Sequence, residues 1–102
     1  MIVAVALFEL HIEYAQSLKD KRQVVRSLRE KLRRRFNCSA NEVALQDLHQ
    51  RARMALTFVS HHRDAANALF ESVQDFIESN TDAVVAGWTT ETLDFDEGAS
   101  LA

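Results

Sequence analysis

From Ile2 to Ile12 apolar residues recur at every second position (Ile2, Ala4, Ala6, Phe8, Leu10, Ile12), the period of a strand with one buried face. The alternate positions carry Val3, Val5 and Leu7, then turn polar at Glu9 and His11, so the second face is apolar for half its length. At Ser17 the period changes. Leu18, Val25, Leu28, Leu32 and Phe36 fall on one stripe of a helix, with Val24 beside it. Ser17 followed by Asp20 predicts a start resembling a capping box, with Asp in place of the longer Glu.

Cys38 to Leu45 is expected to form a second strand, and Arg51 to Ser60 a third. In the third, Ala52, Met54, Leu56 and Phe58 alternate with Arg53, Ala55, Thr57 and Val59. A second helix is predicted over Arg63 to Ser79 on the apolar face of Ala66, Leu69, Phe70, Val73, Phe76 and Ile77, with Ser60 as its cap. Ala83 to Phe95 reads as the last strand. The order β-α-β-β-α-β predicts an α+β, ferredoxin-like sandwich: an antiparallel sheet with two helices on one face, built from two right-handed βαβ halves. Residues 1–95 would form one domain and residues 96–102 a flexible tail. The uncovered sheet face would show Val3, Val5, Leu7, Ala55 and Val59. Exposed aliphatic surface marks an interaction site, and a homodimer packed face to face or edge to edge is the expected occupant.

The runs SLKDKR (Ser17–Arg22), RRRFNCSANEV (Arg33–Val43), QDLHQRA (Gln46–Ala52) and FVS (Phe58–Ser60) resemble the YlxP-like family of small bacterial proteins. The likeness runs in order from Met1 to about Phe95. It implies a ferredoxin-like fold and a dimer in a family of unknown function, whose genes often neighbour those of translation initiation and ribosome maturation factors. Two positions depart from the family: His49 stands where Trp is common, and Cys38 where a branched residue is common.

Charge sharpens the reading of the first helix. The chain is acidic overall, with a net charge of −3, yet nine of its twelve Lys and Arg lie between Lys19 and Arg35. Only Asp20 and Glu30 oppose them there, so the local field differs in sign from the total. At 100° per residue, Arg22, Arg26, Arg29 and Arg33 line one flank of the helix, with Lys19 nearby and Arg34 in the last turn. Guanidinium groups so arranged can span successive phosphates. The plainer alternative is a solvated face with Arg26 and Glu30 paired at i, i+4, and Arg33, Arg34 and Arg35 favouring the helix dipole. Lys21 falls on the apolar side, where it should reach solvent or a nearby carboxylate, or serve as a dimer or ligand contact.

Other chemistry is thinly represented. Glycine occurs only at Gly87 and Gly98, which excludes the glycine-rich phosphate loops. The third strand has no glycine, and its open face would show Arg53, Ala55, Thr57 and Val59 without the aromatics of an RNA-recognition motif; the first strand's open face lacks them too, so RNA contact should run through the helix instead. Gln46, Asp47, His49, Gln50 and Arg51 cluster between the second and third strands and are expected to form a hydrogen-bonded connection or part of the interface; Asp47 and His49 form a proton-transfer pair only on paper, with no nucleophile beside them. His61 and His62 supply at most half a zinc shell. Cys38 has no partner to activate it, and Trp88 is expected as a core or interface anchor. No metal or cofactor is implied. The N-terminal apolar run lacks a basic leader and is broken by Glu9, His11 and Glu13, so a cytoplasmic protein outside the membrane is expected.

The residues therefore favour a non-enzymatic protein that binds ribosomal RNA or a ribosome-assembly particle through Lys19, Arg22, Arg26, Arg29, Arg33 and Arg34. The alternative is a homodimeric interaction module without nucleic-acid binding, and a small-molecule sensor is third.

Overall fold

A computed structural model describes residues 1–102. The elements are β1 (Ile2–His11), α1 (Leu18–Arg35), β2 (Ser39–Ala44), β3 (Arg51–Ser60), α2 (Arg63–Ser79) and β4 (Val84–Asp94). The sheet order is β2-β3-β1-β4, and every neighbouring pair is antiparallel. This is the ferredoxin-like α+β arrangement that the alternation and helical stripes predict.

The core lies between the sheet and the helices. β1 contributes Ile2, Ala4, Ala6, Phe8 and Leu10, and β3 contributes Ala52, Met54, Leu56 and Phe58. Against them α1 buries Val25, Leu28 and Leu32, while α2 buries Ala66, Phe70, Val73 and Ile77. Removing this apolar surface from water drives the assembly, at about 1.5–3 kcal/mol for each large side chain fully buried. Phe58 meets Phe70 edge to face at 5.1 Å between ring centroids, and Phe36 meets Phe76 likewise at 5.3 Å. Trp88 stacks on Phe8 at 5.4 Å and packs against the core, so it is a core anchor on the helix side of the sheet.

The helix termini follow local chemistry with two differences from expectation. Ser17 Oγ accepts the Asp20 amide at 3.1 Å, as predicted, while the shorter Asp20 side chain accepts the amide of Gln16 rather than that of the cap residue. Ser60 does not cap α2. It ends β3, two residues too early, and its hydroxyl donates to the His62 carbonyl; His62 is the cap residue and makes no side-chain cap bond. The second strand is also shorter than expected. Cys38 precedes it, and Leu45 turns out of it with φ of 64°, a left-handed conformation costly for a branched side chain.

β1 and β4 pair with a register shift after Phe8. Phe8 lies opposite Trp88 and Glu9 opposite Ala86, leaving Gly87 without a partner. Gly87 has φ of 87°, which a bulge of this kind demands and glycine supplies.

Candidate nucleic-acid interface

The stripe expected on α1 is present, and its cations lack acidic partners. Lys19, Arg22, Arg26, Arg33 and Arg34 are exposed and Arg29 is half-buried. None of them approaches a carboxylate within ion-pair distance, and the expected Arg26–Glu30 pair does not form. Arg26 and Glu30 are both exposed, and there an i, i+4 pair offers only a few tenths of a kcal/mol to hold two long chains. The stripe is fixed at its far end. Arg33 Nη2 donates to the Ala40 carbonyl of β2 at 3.1 Å, and Arg29 Nε is enclosed without a hydrogen-bond partner. Arg35 lies over the Phe36 ring at 5.4 Å, and Lys31, on the opposite flank, reaches the Asn80 carbonyl.

Lys21 differs from its neighbours. It is 1% exposed and does not reach solvent. Its ammonium donates to the carbonyls of Leu45 (2.8 Å), Gln46 (3.2 Å) and Arg51 (3.3 Å), which uses all three N–H groups. Glu42 Oε2 lies 2.8 Å from the same nitrogen, as an ion pair outside hydrogen-bond geometry. The carboxylate branch of the expectation holds, and the solvent branch does not. Lys21 ties α1 to the β2–β3 connection.

That connection is hydrogen-bonded, as the sequence suggests for Gln50. Its side chain donates to the carbonyls of Glu13 and Ala15, and its own carbonyl accepts the Ile12 amide at 2.8 Å. Gln46, Asp47 and His49 are exposed. Asp47 and His49 make no hydrogen bond or ion pair with each other, so the structure does not assemble that pair. Burial pushes the Cys38 thiol up, which keeps it protonated and weakly nucleophilic.

On the open sheet face the predicted residues come together. Val3 lies opposite Val59 and Leu93, and Leu7 opposite Ala55. Val5 is 41% exposed, Val59 65% and Leu93 59%. Leu93 was not foreseen, because its place depends on the register of β4.

The polar half of this face carries a cluster that the sequence reading missed. Glu9 Oε2 accepts from Arg51 Nε at 2.9 Å and from His11 Nε2 at 2.6 Å; Glu9 Oε1 accepts from Arg51 Nη2 and Arg53 Nε, each at 3.0 Å. Hydrogen bonds from Arg51, then Arg53, then His11 hold the Glu9 carboxyl down at about 2, and Glu9 in turn raises Arg51. His11 must donate from Nε2, since a carboxylate offers no proton. The available signal is the pattern Glu-x-His in β1 against Arg-x-Arg in β3. The strand register sets Glu9 opposite Arg53 and His11 opposite Arg51.

No helix is long and apolar enough to cross a membrane. Residues 3–90 match the model of a family described as "Protein of unknown function (DUF503)". The chain is also similar to the "Uncharacterized protein YlxP" of Bacillus subtilis (strain 168), with 32% identity over 78 residues, 76% of this chain and 85% of that one. The resemblance carried by SLKDKR and QDLHQRA thus extends over most of both chains, and this protein belongs to the DUF503 family of proteins of unknown function.

Proposed function

We propose that the protein is a non-enzymatic, cytoplasmic binding protein that holds ribosomal RNA, or a ribosome-assembly particle containing it, through the basic flank of α1. One observation carries this reading. Of the nine Lys and Arg of α1, eight have no carboxylate partner, Lys21 being the exception. A helix face kept only for solubility usually mixes both signs of charge; this flank is free of carboxylates, and only Arg33 gives an N–H to the protein, to the Ala40 carbonyl. Arg22 to Arg33 spans about 16 Å at 1.5 Å per residue, enough to meet several phosphates. Affinity would come from counterion release, with weak sequence preference.

Co-sedimentation with ribosomal subunits at low and raised salt tests the proposal. Binding should occur at low salt, fall steeply as salt rises, and vanish when Arg22, Arg26, Arg29 and Arg33 are all changed to Glu. Absence of binding, or binding unaffected by the reversal, contradicts it.

A second reading rests on a separate observation, the aliphatic strip of Val3, Val5, Val59 and Leu93 on the open sheet face. A second copy packed on this strip would make the protein a homodimeric interaction module, with or without RNA. Size-exclusion chromatography with light scattering should then give a dimer; a monomer at micromolar concentration rejects it.

A further inference from the structure

The open sheet face also holds a second cationic site, unlike the first in construction. Arg51 and Arg53 project from β3 beside the bulge in β4, and both are half-exposed. Beneath them Glu9 is only 9% exposed. Its two oxygens take four donors, which fills the acceptor positions of a carboxylate. Glu9 cannot serve a further cation, but it fixes the direction of both guanidinium groups. Arg51 gives Nε and Nη2 to Glu9, and Arg53 gives Nε. Nη1 of Arg51 and both terminal nitrogens of Arg53 remain without a protein acceptor.

These free donors border a cavity of about 560 Å³, with Leu7 and Gly87 also in its wall. A Cβ placed on Gly87 would meet nothing within 4 Å, so the space above the bulge is open. The wall contains no acidic residue besides the saturated Glu9. With one carboxylate and two guanidiniums, the site keeps a surplus positive charge. Arginine normally loses much rotamer freedom when it grips an anion; here Glu9 has already ordered both side chains.

We infer that Arg51 and Arg53, oriented by Glu9, form a receptor for the phosphate monoester of a small ligand whose remaining part lies in the cavity over Leu7 and Gly87. A phosphate monoester fits because it offers several strong acceptors to a forked set of donors and brings more charge than a carboxylate. The volume suits a compact metabolite-sized molecule. The site shares no residue with the α1 flank, so it stands apart from the proposed RNA contact.

The test is an NMR titration of the whole chain, following the arginine Nε–Hε resonances, with inorganic phosphate and then glycerol 3-phosphate at constant ionic strength. Acetate and an oligonucleotide lacking terminal phosphate are the comparison probes. Both phosphate probes should shift Arg51 and Arg53 saturably, glycerol 3-phosphate more tightly, and acetate should not. Arg53→Gln should weaken binding at least tenfold, and Arg53→Lys, which keeps the charge but loses the fork, should weaken it by a smaller factor. The fourfold α1 reversal should leave the site intact. No saturable shift of Arg51 and Arg53, equal shifts with acetate, a preference for the oligonucleotide, or unchanged affinity in Arg53→Gln would each overturn the assignment. The wild-type shifts decide the matter even if a variant fails to fold.

Discussion

Lys21 and Arg22 are neighbours in the first turns of α1, yet they carry their charge in opposite ways. Lys21 is enclosed, with three carbonyls and Glu42 around its ammonium. Arg22 is exposed, with no acidic partner, at the head of a flank of similar residues. A buried charge survives only when its surroundings replace water, so Lys21 serves the fold. The exposed arginines do little for the fold and keep their donors available. The rotation of 100° from one residue to the next separates the two roles.

The largest effect should come from the enclosed side. Lys21→Ala strands Glu42, removes a donor from three carbonyls and leaves a cavity, so it should cost about 3–5 kcal/mol. For a chain of this length that means a fall in Tm of at least ~12 °C. A variant within about 1 kcal/mol of wild type in urea unfolding would show that the enclosed site is dispensable and erase the contrast.

The flank should give the converse result. Reversal of Arg22, Arg26, Arg29 and Arg33 to Glu should abolish subunit binding yet change stability by roughly 1 kcal/mol, chiefly through the lost Arg33–Ala40 bond. Large destabilisation of that variant would mean the flank serves the fold after all.

The Glu9 cluster lies between these extremes, because its carboxylate is covered while its arginines face water. With its folded pKa held at about 2, below the ordinary 4.5, Glu9 favours the folded state at any pH above the ordinary value. That contribution is lost as pH falls from 4.5 towards 2. Stability measured by urea unfolding should therefore fall more steeply across this window in wild type than in Glu9→Gln. Equal slopes would show that the arginines do not hold the carboxylate.

The smallest effect is Ser17→Ala. It removes the acceptor for the Asp20 amide and should lower stability by about 1 kcal/mol, without altering subunit binding.

The features legible in the sequence are those with a local period. Alternation in Ile2–Ile12 and the stripe Val25, Leu28, Leu32 fixed strand, helix and core, and the arginine flank follows from the same geometry. Lys21 was visibly out of place, but its partner was not legible, because Glu42 and the Leu45 turn reach it only through tertiary folding. The Glu9 cluster required knowing that residue 9 faces residue 53, a pairing without a local signal. The bulge had a weak one: Gly87 interrupts an otherwise continuous strand, as glycine often does where a strand gains an unpaired residue. Ser60 has the residue type of a helix cap but not its place, because the chain needs two more residues to leave the sheet before α2 begins.

The most direct test of the central claim is the salt dependence of binding to ribosomal RNA, measured by fluorescence anisotropy. Four arginine–phosphate contacts predict a slope of log K against log salt of roughly −3, becoming shallower by about 0.7 for each of Arg22, Arg26, Arg29 and Arg33 changed to Gln. A slope near zero, or one unchanged in the fourfold Gln variant, would contradict the assignment of the α1 flank as the phosphate-binding surface.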